Sequence, residues 1–293
     1  MSISSSALVV SLNISVWPAT KLDRQATDQL TRDASAHHNA AKVQKDLFAG
    51  NSMRRNIDKK AAHMRQCHAK LTLPWEDKGN RLLPMPLFLE YKDKLNKEKP
   101  EFDAMCEEFY SFYPQLCANA PVNMGKLYRA DDYPDLDDVK SRFGFRYVIA
   151  PLAESGDFRL DASNAEMAEQ IAELKQQYEG SLQSRLADAM RDPWNRLHTM
   201  LTGMSDKLED LPGEEDDEDA PKKRYHDTLV TNAQDLCKLL AKLNITNDPK
   251  LEEARRQLEV TMQGADIEVI KESAQVRESM KTKVDSILNK FNW

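Results

Sequence analysis

The 293-residue sequence predicts a mostly α protein: a small α+β N-terminal part with a β-strand pair, then an extended antiparallel helical hairpin or bundle. Three observations predict it. Charged residues make up 30% of the chain against 7% aromatics and only 9 glycines, which suits long solvated helices better than a β-sandwich or a glycine-looped nucleotide fold. Two short stretches alternate apolar and polar residues with a period of two. From Asn164 onward, apolar residues recur every three or four positions. The expected division is a mixed domain over 1–163 and a helical domain over 164–293, the latter interrupted by an acidic linker at 210–224.

Val10, Leu12, Ile14 and Val16 alternate with Ser11, Asn13 and Ser15, which gives one half-buried strand ended by Trp17 and Pro18. Leu22 to about Ala49 holds helix formers without Pro or Gly and is expected as one helix, stopped by Gly50 and Asn51. A second helix is expected from about Ser52 to Lys70. Pro74, Pro84, Pro86 and Pro100 break up residues 72–100, expected as a connector anchored by Trp75, Leu82, Leu83, Leu87 and Phe88. The aromatic stretch EFDAMCEEFYSFY reads as a short helix ending at Pro114. SRFGFRYVIAPL places Phe143, Phe145, Tyr147 and Ile149 on one face of a second strand. Residues 8–17 are its expected partner, and DFRL at 157–160 an expected short third strand.

In the helical part, Met167, Ile171, Leu174, Tyr178, Leu182, Leu186 and Met190 form a stripe that Trp194, Leu197, Leu201, Met204 and Leu208 continue. Asp192 and Pro193 have the form of an N-cap followed by a first-turn proline, so a kink or fresh start is expected there. Leu229, Ala233, Leu236, Leu240 and Leu243 mark the next helix. Asp248 and Pro249 open another through Met262, and the last is expected from about Asp266 to Phe291. The stripe is wider than a strict heptad seam, so oligomerisation is compatible with it but not demanded.

Charge is distributed unevenly. The net charge is −7, yet residues 1–99 hold 17 Lys and Arg against 10 Asp and Glu, a balance of +7, and the rest balances at −14. Such asymmetry hints at a polyanion-facing front or at two parts that attract. ALVVSLNISV lacks a preceding basic stretch and is interrupted by polar residues, which argues against a signal peptide. No apolar run approaches the roughly 18 residues of a membrane span. Cys67, Cys106, Cys117 and Cys237 form no C-x-x-C pair. These features place the chain, as an expectation, in the cytoplasm with reduced thiols and no membrane partner.

The basic stretch MRRNIDKKAAHMRQCHAK (53–70) admits three readings. On a helical wheel Met53, Ile57, Ala61, Met64, Cys67 and Leu71 share one face, and Arg54, Arg55, Lys59, Arg65 and Lys70 fall opposite. The cations are then a solvated face, or a phosphate-contact surface extended by Lys42 and Lys45 on the preceding helix. A metal site on His63 and Cys67 lacks further ligands, and His68 points elsewhere on the wheel. The adjacent His37 and His38 diverge on a helix and have no acidic ligand pattern around them. RFGFRYV has the look of an RNA-stacking strand, but Arg146 occupies a position that such a strand gives to an apolar residue, and the rings read as core.

Six acids at 214–219 lack EF-hand spacing and read as a hairpin tip; a sharper alternative has that tip compete with nucleic acid for the basic helix. No P-loop, dinucleotide-binding, nucleophile-elbow or H-E-x-x-H motif is present, and the pairs Asp131–Asp132 and Asp137–Asp138 have no metal-nuclease partner. No catalytic residue, metal ligand or cofactor is assigned.

The segments LNISVWPATKLD, LPWEDKGNRLLPMPLFLEY and RFGFRYVIAPL, followed by a long helical tail, resemble a family of unassigned function encoded by phages and integrative elements. The resemblance runs over most of the chain and rests on structural motifs. Genes of that family often lie near a MoxR-type AAA+ ATPase and a cobaltochelatase-like von Willebrand A protein. The resemblance therefore implies a non-enzymatic partner in such a system. The expected function is a phage or mobile-element adaptor that binds a protein partner through Leu174, Tyr178, Leu182 and Leu186. The alternative is a sequence-nonspecific nucleic-acid binder using the basic helices at 42–70.

Overall fold

The computed structural model describes residues 5–76, 79–153, 165–209, 228–291 and 293. Helix accounts for 69% of the structure, beside a four-stranded antiparallel sheet. The chain forms two interleaved units: one of Met1–Ser11, Ala69–Leu89 and Ile149–Trp293, the other of Leu12–His68 and Glu90–Val148. These units cross the boundary expected at 163/164, because strands from the N-terminal part belong with the C-terminal helices.

The sheet has the order β4-β5-β1-β6. It contains β1 (Ala7–Ser15), β4 (Leu73–Pro74), β5 (Asn80–Pro84) and β6 (Gly144–Pro151). The expected pair, β1 and β6, are neighbours in it. The two further strands come from the segment expected as a connector: β1 pairs with β5 from Ala7↔Pro84 to Ser11↔Asn80, and β4 pairs with β5. Pro74 and Pro84 sit at the ends of their strands, where a missing N–H does little harm. The residues 157–160, expected as a third strand, lie outside the described residues.

In the unit of Leu12–His68 and Glu90–Val148, the helix expected over 22–49 is instead a shorter element. β2 (Thr20–Leu22) and β3 (Gln44–Asp46) pair antiparallel around α1 (Arg24–Asp33). Asp23 caps α1 by accepting from the Ala26 N–H at 3.0 Å. The helix ends where Ser35 takes a positive φ of 49°. The buried Thr27 and Thr31 turn their hydroxyls back onto helix carbonyls, and Val43 donates to Thr27 Oγ1 at 3.0 Å.

α2 (Met53–Leu71) forms as the wheel predicts, with Ile57, Ala61 and Met64 buried. α3 (Phe88–Met124) corrects the expected break at Pro114, since it runs through Pro100, Pro114 and Pro121. All three prolines are exposed and lie close to one helical face. The carbonyls they orphan can be hydrated there, and the buried stripe of Tyr91, Leu95, Phe102, Phe109 and Tyr113 holds the helix together. Around that stripe Trp17, Phe48, Phe109, Tyr113 and Tyr133 pack edge to face, with Phe102 against Phe145 at 5.7 Å. Of the rings of RFGFRYV, Phe145 is buried in the core, while Phe143 and Tyr147 are half-buried, Tyr147 beneath Lys92, and Arg146 and Val148 face solvent. A short helix, α4 (Leu136–Ser141), precedes β6.

The other unit contains α5 (Ala165–Leu208), α6 (Thr228–Leu243), α7 (Pro249–Met262), α8 (Ile267–Glu272) and α9 (Ala274–Lys290). α5 passes through Pro193 without the expected restart, because its apolar stripe continues in phase on both sides. Asp248 and Pro249 open α7 as expected, Asp248 accepting from the Lys250 N–H at 2.9 Å. The single last helix expected is two helices, divided at Ser273, which caps α9. Leu197, Leu201 and Met204 of α5 are buried, as are Ala233 and Leu240 of α6, Leu258 and Met262 of α7 and Val284 and Ile287 of α9, and these helices contact one another. The acidic residues 210–224 lie outside the described residues.

Candidate functional site

The basic candidates separate by environment. Lys42 is exposed, in irregular chain before β3 rather than on a helix. Lys45 leaves the surface altogether: it lies in β3, 2.5 Å from Asp132, and donates to the Leu127 carbonyl at 2.9 Å. Neither extends a helical basic patch, which corrects that expectation; the strand pairing of β2 and β3 turns Lys45 inward.

On α2 Arg55, Lys59, Arg65 and Lys70 keep to the outward side, as the wheel predicts, whereas Arg54 does not. Arg54 pairs with Asp58 at 2.7 Å and is largely covered. Arg55 and Lys59 are exposed. Arg65 is exposed but anchored, its guanidinium donating to the Ile14 carbonyl at 2.7 Å. Lys60 is drawn aside by Glu98 and Glu101 of α3. Burial lowers its pKa, but the hydrogen bonds it donates to Glu101 and Glu98 outweigh that, and the net shift is upward. Lys70 is exposed at the far end of the helix, within the other unit.

His63 Nε2 lies 3.5 Å from Cys67 Sγ and 3.8 Å from Glu98 Oε1. Among the described residues no group of three His, Cys, Asp or Glu side chains is arranged to hold a metal ion. His37 and His38 sit in a turn with ring centroids 4.2 Å apart, not on a helix. Burial pushes the Cys106 thiol up to about 12 and the Cys237 thiol up to about 11, so neither is a ready thiolate.

The helical candidates lie in the first half of α5. Leu174 is 48% exposed, while Tyr178, Leu182 and Leu186 are half-buried. The Tyr178 hydroxyl donates to the Ala153 carbonyl at 2.9 Å, and Arg185 reaches Glu76 at 3.5 Å. Met167 is 44% exposed on the same flank as Leu174. From Met167 to Asp188 no residue is buried, whereas Ala189, Met190, Leu197 and Leu201 are. One stripe is therefore core at one end and open at the other.

That change of environment falls where α5 is clamped. Arg196 donates to the carbonyls of Lys70 at 2.6 Å, Ala69 at 2.8 Å and Thr72 at 3.1 Å, while Asp192 holds its Nε at 2.7 Å. Arg81 donates to the Ala69 and Thr72 carbonyls as well. Two guanidiniums thus satisfy the orphan carbonyls at the C-terminal end of α2, where the helix dipole favours cations. Sequence reasoning missed this clamp, because Arg196 lies far from residues 69–72 in the chain and no local motif links Arg81 to them. It also missed the buried pair of His68 Nδ1 and Tyr91 Oη at 2.8 Å, whose only sequence signal was a histidine off the basic face.

No helix among the described residues is long and apolar enough to cross a membrane. Comparison with protein-family models, with curated proteins and with solved structures gives no match.

Proposed function

We propose that the chain is a non-enzymatic binding and scaffolding protein, an adaptor that offers the first half of α5 to a protein partner. The observation that carries this reading is the unburied first half of the α5 stripe: Met167, Ile171, Leu174, Tyr178, Leu182 and Leu186 repeat with core spacing, yet none is buried. Apolar helical faces of this kind are what helix-in-groove recognition uses. The resemblance of LNISVWPATKLD, LPWEDKGNRLLPMPLFLEY and RFGFRYVIAPL to a phage and mobile-element family supplies the partner class, an AAA+ ATPase with a von Willebrand A protein. The test is co-purification with a MoxR-type AAA+ ATPase. Leu174→Glu with Leu182→Glu should abolish the complex, and Arg55→Glu with Lys59→Glu should leave it intact. The opposite pattern overturns the reading.

A second reading rests on the outward cations Arg55, Lys59 and Arg65: nonspecific phosphate contact by α2. Fluorescence anisotropy against single- and double-stranded DNA at two salt concentrations tests it. Binding that weakens with salt and vanishes in Arg55→Glu/Lys59→Glu supports it; no binding at low salt removes it.

A further inference from the structure

The Met53–His68 stretch of α2 lies within one unit, and its two sides differ in character. Ile57, Ala61, Met64 and His68 are buried on one side. Arg55, Lys59, Ala62 and Gln66 are exposed. At about 100° per residue these four fall within about 60° of one another, opposite the buried side. Arg65 flanks this ridge, its guanidinium donating to the Ile14 carbonyl at 2.7 Å. Asp58, the one acid of α2, is held by Arg54 at 2.7 Å, and Lys60 engages Glu98 and Glu101 of α3. The ridge itself thus presents two cations, one amide and one small residue.

We infer that this ridge docks in the major groove of B-form duplex DNA, with Arg55 and Gln66 turned to the base edges and Lys59 and Arg65 to the phosphates. The inference rests on the phosphate-contact reading of α2 and deepens it. Charge selects a polyanion, since the ridge is cationic and the neighbouring acids already have cations. Shape selects duplex DNA. A helix about 10–12 Å across fits the roughly 12 Å major groove of DNA, whereas the deep, narrow major groove of RNA excludes it. Ala62 stands on the crest between Arg55 and Gln66, so no long side chain there holds the backbone away from the groove floor. Chemistry selects base contact: arginine donates in a fork to guanine O6 and N7, and glutamine pairs with adenine N6 and N7 in the same groove. Arg55 and Gln66 are about 16 Å apart along the helix axis, which spans about five base pairs.

Selection of duplexes from a random-sequence pool by the full chain, followed by fluorescence anisotropy, tests this. A motif of about five base pairs that includes a guanine and an adenine should be enriched. The enriched duplex should bind about tenfold or more tighter than its separated strands or the matching RNA duplex. Gln66→Ala should weaken it about tenfold and erase the preference over a scrambled duplex. Lys59→Ala should weaken both duplexes alike and lower the salt slope by about one. Both side chains are exposed, and circular dichroism of each variant checks the fold. No enriched sequence, equal affinity for single strands, or indifference to Gln66→Ala overturns the inference. Salt-sensitive binding that is equal across all these nucleic acids and falls in Lys59→Ala leaves the phosphate-contact reading standing and removes only groove docking. No binding at low salt removes both.

Discussion

Lys45 and Asp132 form an ion pair at 2.5 Å with side chains only 5% and 14% exposed, tying β3 to the turn after α3. The contact converts a lysine that reads as part of a basic surface into a structural one. Removing one partner strands a buried charge on the other. Lys45→Ala is expected to cost about 3–5 kcal/mol in urea unfolding while leaving any DNA affinity unchanged. An unchanged unfolding midpoint would show that the pair is dispensable.

The open and closed ends of the α5 stripe should respond differently to substitution. Leu174→Glu should change stability by less than about 0.5 kcal/mol, as at other exposed positions. Leu201→Ala, fully buried, should cost about 2–5 kcal/mol. Thermal unfolding of the two variants side by side checks this. Equal losses would mean that the first half of α5 is core.

Acid should weaken the α7 network in a defined window. Hydrogen bonds from Arg255 above all, then Arg256, outweigh the cost of burial and hold the Glu252 carboxyl down to about 2 from its ordinary 4.5. A carboxylate with a depressed pKa stabilises the fold above its unfolded value, and that contribution fades as pH falls from about 4.5 through about 2. Glu252→Gln should therefore be less stable than wild type by about 1–2 kcal/mol at pH 7, discounted for partial exposure. The difference should shrink across that window. A gap independent of pH would assign the loss to packing instead.

The prolines of α3 leave stability unrealised. Pro114 is exposed inside a continuous helix, where proline removes one hydrogen bond and strains the preceding turn. Pro114→Ala should raise stability by about 1–2 kcal/mol, the gain in the helix being partly offset by a freer unfolded chain. A loss measured by chemical unfolding would show that the ring itself is needed.

What was legible in the sequence is what local periodicity carries. The face of α2, the alternation of β1 and β6 and the stripe of α5 all follow from spacing that a single element imposes on its own residues. The misses share another cause. The 22–49 segment contains no breaker, yet pairing between Thr20–Leu22 and Gln44–Asp46 splits it, a nonlocal ladder that residue preference does not encode. Pro114 reads locally as a stop, and an aromatic core stripe overrides it. Three of the basic residues were settled by acids and carbonyls remote in sequence. Asp132 claims Lys45, Glu98 and Glu101 claim Lys60, and the Ile14 carbonyl holds Arg65.

The interleaving of the two units has a consequence for how the protein is made. A ribosome delivers the chain from one end, so the unit of Leu12–His68 and Glu90–Val148 has all its residues once Val148 has emerged. The other unit owns Met1–Ser11 and Ala69–Leu89 but waits for the helices up to Trp293. During that interval the β1–β5–β4 segments are made without the α5–α9 helices that share their unit, which leaves their apolar residues open to non-native association. Synonymous changes that slow translation between codons 149 and 293 should therefore lower the yield of native protein more than equal delays before codon 148.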